Sequence, residues 1–398
     1  MAGPRPSSHK PRSKAKKNGG DGGSLVVTKN EGLVRTPTFP LAAFLWPARG
    51  SVSQWEVLPL VLMVVGLFRW AAGLWGYSGF QKPPMFGDYE AQRHWMEVTT
   101  QLPVSQWYFY DLQWWGLDYP PLTAYHSWVC GKIGSFIDPS WFALYTSRGS
   151  ADTNLKIFMR ATVIVSEYLI YIPAVVVFVR HFSRLNGVGT WTASVALVAI
   201  LMQPGIILID HIHFQYNTVM LGFVVATFNS ILANRFLWAA FFFVAALGFK
   251  QMALYYAFSA FAFLLGSCIF PRVNIRRFLG IAVVTVISFV LLILPLVAGS
   301  LYDRSRGIDS RPDIDGPPAP LPIFLWLQDY LDTGAIYYPV VQQLVQMVHR
   351  VFPFARGLFE DKVANFCGQS RPRIGYKSVG RICKFARVLD NVSTPGTR

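Results

Sequence analysis

Seven apolar runs alternate with short polar connectors through the middle of the chain, and that alternation leaves few folds open to it. The runs cover about 57–75, 157–179, 191–209, 216–232, 236–249, 252–270 and 278–298. A helix needs about 20 apolar residues to cross the hydrocarbon core of a bilayer, although some runs here are shorter. In lipid, every backbone N–H and C=O must be satisfied within the spanning structure, which favours helices. The sequence therefore predicts an all-α polytopic membrane protein of about seven transmembrane helices. The composition agrees: 14% of residues are charged and 53% are hydrophobic, whereas soluble proteins carry about 25% charged residues.

The net charge of +15 is concentrated in the tails. Residues 1–35 hold eight Lys/Arg against Asp21 and Glu31, and residues 368–398 hold seven against Asp390. Charge confined in this way argues against a nucleic-acid partner and for contact with membrane lipid. The first tail is rich in Lys, Gly, Ser and Pro and reads as disordered; no cleaved signal-peptide pattern is visible in it. The connectors 180–184, 234–235 and 271–277 are basic and fall on the tail's side of the membrane, so that side is predicted to be cytosolic. The long loop 77–156, the turns 210–215 and 250–251, and everything after residue 298 then face the lumen of an internal membrane.

The expected organisation is a basic tail and interfacial segment over 1–49 and a transmembrane domain over 50–298 that includes loop 77–156. A second lumenal loop over 299–366 and an atypical basic tail over 367–398 complete it. Asn391-Val392-Ser393 is a formal glycosylation sequon in that tail. Cys130, Cys268, Cys367 and Cys383 show no CxxC spacing and no His/Cys cluster, so neither a metal site nor a cofactor is predicted.

The stretch 81–125 stands out among the connectors. It places Asp88, Glu90, Asp111 and Asp118 among aromatic residues and before the stiff Pro120–Pro121 corner. Carboxylates at the mouth of a span suit acid–base work on a polar headgroup. Glu90 is three residues from Arg93, at the spacing of a helical ion pair. Asp210, His211, His213 and Gln215 follow the third run, and Lys250 interrupts the pattern after the fifth. An ionisable residue at membrane depth is a functional candidate. His211 and His213, two residues apart, do not share a helix face.

FGDYEAQRHW at 86–95, LPVSQWYFYD at 102–111 and WGLDYPPLTAYHS at 115–127 resemble the eukaryotic dolichyl-phosphate-glucose glucosyltransferases. HIHFQYNTVMLG at 211–222, FKQMALYY at 249–256 and RVFPFARGLFEDKVANF at 350–366 resemble later blocks of the same family. The resemblance implies a GT-C type glycosyltransferase of the endoplasmic reticulum membrane that inverts the anomeric centre. Its donor would be dolichyl-phosphate glucose and its acceptor the terminal mannose of a dolichyl-pyrophosphate Man9GlcNAc2 oligosaccharide, joined by an α-1,3 bond. Intact EAQRHW and LTAYHS strings favour addition of the first glucose; the alternatives are the sister reaction that adds the second, and an inactive, truncated membrane protein.

The position matching the family's catalytic base is Asp88. Asp118 is expected to orient Asp88 or an acceptor hydroxyl, and His211, His213, Lys250 and Arg356 are the candidates for the donor phosphate. After Phe366 the chain departs from the family, which continues with further spans and a lumenal block containing a His-Glu-Lys string. The basic, span-free tail reads as a truncation, frameshift or retained intron, and it puts activity of this chain in doubt.

Overall fold

The computed structural model describes residues 54–112, 114–308, 331–332 and 334–352, with side chains from residue 57 onward. Among these residues the chain is helical and contains no strand. The expected positions Arg356, Cys367, Cys383 and Asn391 lie outside the described residues.

The apolar runs become helices. The first is α1, Gln54–Gly73. Helices α2, Gly87–Gln101, and α3, Pro121–Ile137, lie within the long loop. Helix α4, Thr153–Ser166, passes through a π-helical stretch, Glu167–Tyr171, into α5, Ile172–Leu185. Helix α6, Thr190–Leu201, leads through Pro204–Ile206 to a second π-helical stretch, Ile207–Phe214. Then come α7, Asn217–Leu232, and α8, Phe236–Phe249. A 3-10 turn, Gln251–Tyr256, opens α9, Ala257–Ile269. Helix α10 is Ile275–Ser305 and α11 is Tyr338–Val351.

Four continuous helical stretches among the described residues are long and apolar enough to cross a membrane: Thr153–Leu185, Thr190–Phe214, Gln251–Ile269 and Ile275–Ser305. Val57–Gly73, Asn217–Leu232 and Phe236–Phe249 are shorter apolar helices. The 33 residues of Thr153–Leu185 extend about 50 Å, well beyond a hydrocarbon core of about 30 Å. Outward-facing side chains such as Leu169, Phe258, Phe261 and Val283 are exposed. A continuous apolar exterior of this kind suits lipid and not water.

Between helices in lipid, close packing and polar contacts replace the hydrophobic drive. Gly222 of α7 illustrates the first: a Cβ there would stand 2.8 Å from Ile170 Cγ2 and 2.9 Å from the Tyr171 backbone. Asn229 illustrates the second, its Nδ2 donating to the Ala174 carbonyl at 2.9 Å.

The loop between α1 and α4 is a packed layer. Its aromatic side chains satisfy its own backbone, as a buried irregular segment requires: Trp95 Nε1 donates to Trp115 O (3.0 Å), Trp115 Nε1 to Met85 O (2.6 Å) and Tyr108 OH to Tyr119 O (2.9 Å). The layer is fastened to the bundle by Tyr125 OH to Leu292 O (2.9 Å) and by the Ser105 amide to Asp303 Oδ2 (2.9 Å). Tyr89, Met96, Phe142, Met159, Phe214 and Phe249 form one buried core across the junction.

Helix α11 falls where the sequence reading expects only a polar, Pro-rich loop. Its side chains complete the layer: Gln343 Nε2 donates to Val104 O and Gln346 Nε2 to Tyr108 O, both at 3.1 Å, and Arg350 reaches Leu117 O (3.3 Å) and Gly116 O (3.0 Å).

Candidate functional site

Helix α2 begins just after Phe86, which takes the left-handed conformation (φ 56°), and Gly87 follows at φ 69°. Gly87 is required there, because a Cβ would lie 2.7 Å from the Ser78 carbonyl oxygen. This tight entry sets Asp88 in the first turn of α2, where the positive end of the helix dipole favours a carboxylate.

Asp88 meets the turn that ends the second π-helical stretch. His213 Nε2 and Gln215 Nε2 each lie 2.8 Å from Asp88 Oδ2. Phe214 between them has φ 89°, and Gln215 is extended, so both side chains reach the same oxygen. Both bonds fall on Oδ2. The side chains of Asp88 and His213 are 39% and 49% exposed, so the pair is open to solvent.

Behind the turn lies a buried polar row. Lys250 Nζ donates to Gln215 Oε1 at 3.3 Å and to Asn217 Oδ1 at 2.6 Å. Asn217 Nδ2 donates to Asp210 Oδ1 (2.9 Å), and the Thr218 amide to Asp210 Oδ2 (2.7 Å). The ammonium of Lys250 sits 4.6 Å from the centre of the Tyr119 ring, within cation–π reach. Burial, and then the charges of Asp118, Asp88 and Asp210, push the Tyr119 hydroxyl up from its ordinary value. The structure thus gathers Asp88, His213 and Lys250 around one turn, with Asp118 next in sequence to the Tyr119 ring that meets Lys250.

His211 goes elsewhere. Its ring is buried, with Nε2 2.7 Å from Glu167 Oε2. Glu167 in turn receives Arg69 Nε (2.8 Å) and Nη2 (2.9 Å). In this triad His211 meets Glu167, whereas His213 meets Asp88. Glu90 pairs with Arg93 at 2.6 Å, as its spacing predicts, but Arg93 also binds Glu97 at 2.7 Å and the pair is fully buried.

Asn217 belongs to the cluster without having been singled out, while Asp210 and Gln215 had been noted only as polar residues after the third run. The available signal was the density of polar residues, at 210, 211, 213, 215 and 217, straight after an apolar run. Among the described residues no group of His, Cys, Asp and Glu has the arrangement of a metal site.

The sequence pattern of the ALG6, ALG8 glycosyltransferase family matches residues 60–306 and 330–377. The dolichyl pyrophosphate Man9GlcNAc2 alpha-1,3-glucosyltransferase of Saccharomyces cerevisiae is 44% identical over 341 residues, covering 85% of this chain and 56% of the yeast protein. A probable enzyme of the same name from Schizosaccharomyces pombe is 44% identical over 330 residues, covering 82% and 57%. The protein of that name from Pongo abelii is 40% identical over 321 residues, covering 79% and 55%. The chain spans about half the length of the curated relatives it matches. On the extent of these matches, the chain belongs to the ALG6, ALG8 glycosyltransferase family.

Proposed function

We propose that the protein transfers the first glucose from dolichyl-phosphate glucose to the dolichyl-pyrophosphate Man9GlcNAc2 oligosaccharide, forming an α-1,3 bond with inversion. One observation carries this reading: a half-exposed carboxylate, Asp88, held on one oxygen by His213 and Gln215 at the end of an apolar helix bundle. In this mechanism Asp88 Oδ1 takes the proton of the acceptor mannose hydroxyl. The freed oxygen pair attacks the anomeric carbon of glucose from the face opposite the phosphate. The bond from that carbon to the phosphate oxygen breaks, and dolichyl phosphate leaves with the electron pair. His213, on the turn, and Lys250, buried behind it, are the cation-capable groups assigned here to the leaving phosphate. Asp118, beside Tyr119, orients the acceptor.

The same reading makes the protein a GT-C type enzyme of the endoplasmic reticulum membrane with seven spans. Residues 77–156 and 299–366 then face the lumen, and the basic connectors face the cytosol. Sealed microsomes test this orientation: a tag at Ser150 should resist protease, and its cleavage would overturn the orientation. The activity test supplies labelled glucose on a short-chain dolichyl phosphate to microsomes from cells expressing the whole gene. Man9GlcNAc2 lipid should grow by one hexose. Extension of the monoglucosylated lipid alone would instead assign the sister reaction, which adds the second glucose.

A further inference from the structure

The turn that holds Asp88 does not hold itself. Phe214 sits at φ 89°, in the left-handed region that residues other than glycine rarely adopt. Such a conformation persists only where its surroundings over-determine it. The side-chain bond from His211 to Glu167 anchors the start of the turn, and the buried Phe214 ring packs edge-on against Tyr89 and Tyr216. The Ser78 amide reaches the His213 carbonyl at 3.1 Å, a single bond.

The backbone carbonyls of the turn are held by one further side chain. Arg160 of α4 is buried, and its Nη1 donates to the His211 carbonyl. Its Nη2 donates to the Ile212 carbonyl at 3.0 Å and to the Gly76 carbonyl at 3.3 Å. The guanidinium also covers the Phe214 ring, 5.3 Å from its centre. No carboxylate pairs with Arg160 among the described residues. A buried charge without a counter-charge is costly, so its partners are informative. They are three backbone carbonyls and one ring, drawn from the chain just after α1 and from the turn itself. The planar fork of a guanidinium fits several fixed acceptors at once, which an ammonium does not.

We propose that Arg160 is a positioning residue for the transfer reaction: it locks residues 211–214 so that His213 and Gln215 converge on Asp88 Oδ2. This rests on the reading of Asp88 as the base, and its test separates the two. In the product of the whole gene, Arg160→Gln should lower kcat about tenfold, the cost of losing one hydrogen bond to a charged group. The KM for either lipid should change by less than about threefold, because the residue touches neither substrate. Arg160→Lys keeps the charge but not the fork and should recover little. In a Gln215→Ala background, Arg160→Gln should cost less than about threefold more, since both changes disable the same contact.

A second readout does not depend on activity. A short bifunctional thiol reagent should join Asp88→Cys to His213→Cys in membranes, and Arg160→Gln should cut the yield severalfold. All values are taken per folded molecule from size-exclusion chromatography; should Arg160→Gln fail to fold, Arg160→Lys carries the same measurements. An unchanged cross-linking yield, or full multiplication of the Arg160 and Gln215 effects, would overturn the positioning role. Retention of activity by Asp88→Asn would overturn the base instead, and the cross-linking result would still decide for or against Arg160.

Discussion

His211 and His213 stand two residues apart, and each directs Nε2 at a carboxylate oxygen, at 2.7 Å and 2.8 Å respectively. The bonds are alike; their surroundings are not. His211 and Glu167 have side-chain exposures of 1% and 0%, and Arg69 closes the group. His213 and Asp88 stand at 49% and 39%, with room for a third party on the carboxylate. A sealed carboxylate that has lost its hydration depends on its partners, and removing one leaves an uncompensated buried charge. An open carboxylate retains water as an alternative partner and can exchange it for a substrate hydroxyl. The proposed base belongs to the second kind, and one short segment supplies a histidine to both.

The largest effect expected on either side is on rate. Asp88→Asn preserves size but cannot accept a proton, so transfer should fall by about 10²- to 10⁴-fold, with the melting temperature in detergent nearly unchanged. Retention of more than about a tenth of the rate would remove Asp88 from the role of base. On the sealed side, Glu167→Ala leaves Arg69 buried without its partner and should cost about 3–5 kcal/mol of stability. The check is the thermal melt of purified protein; a wild-type melt would erase the contrast between the two sites.

Smaller effects sharpen the comparison. His213→Ala removes one bond to Asp88 and should slow transfer about tenfold, with little change in folding; His211→Ala should show the reverse, a lower melt and a per-molecule rate close to normal. The smallest change concerns pH. Burial by itself would raise the Glu97 carboxyl, but the hydrogen bond from His94 and the charge of Arg93 outweigh it and hold the group at about 2. A carboxyl lowered from 4.5 on folding adds stability that is fully present above pH 4.5 and is lost as pH falls toward 2. Glu97→Gln should flatten that acid limb in a pH series of melts. An unchanged limb would show that other groups set it.

Much of the fold was legible because lipid is so restrictive a solvent. The helices over 157–179, 216–232 and 236–249 coincide with apolar runs because only a helix satisfies the backbone there. Asp88 was legible as a candidate from its neighbours in FGDYEAQRHW. The Glu90–Arg93 pair was legible from helical spacing, but the full burial of both was not, because it depends on Trp141 and Ser147, which also bind Arg93. The fate of His211 could not be read locally: Glu167 lies 44 positions away and Arg69 a further 98 before that. The convergence of Gln215 on Asp88 was not legible, because it depends on the φ of 89° at Phe214. Helix α11 was missed although YPVVQQLVQMVHRV carries apolar residues at helical intervals.

Helix α11 has a consequence for how the molecule is made. Its Gln343, Gln346 and Arg350 satisfy carbonyls of residues synthesised 233 to 239 positions earlier. At about 5–20 residues per second, the ribosome delivers those partners only tens of seconds after the loop has emerged. During that interval the carbonyls of Val104, Tyr108, Leu117 and Gly116 must be held by water or by a chaperone. Quality control of the nascent protein therefore has a defined window in which to act, and lesions in α11 should surface as poor biosynthetic yield before any defect in catalysis is measurable.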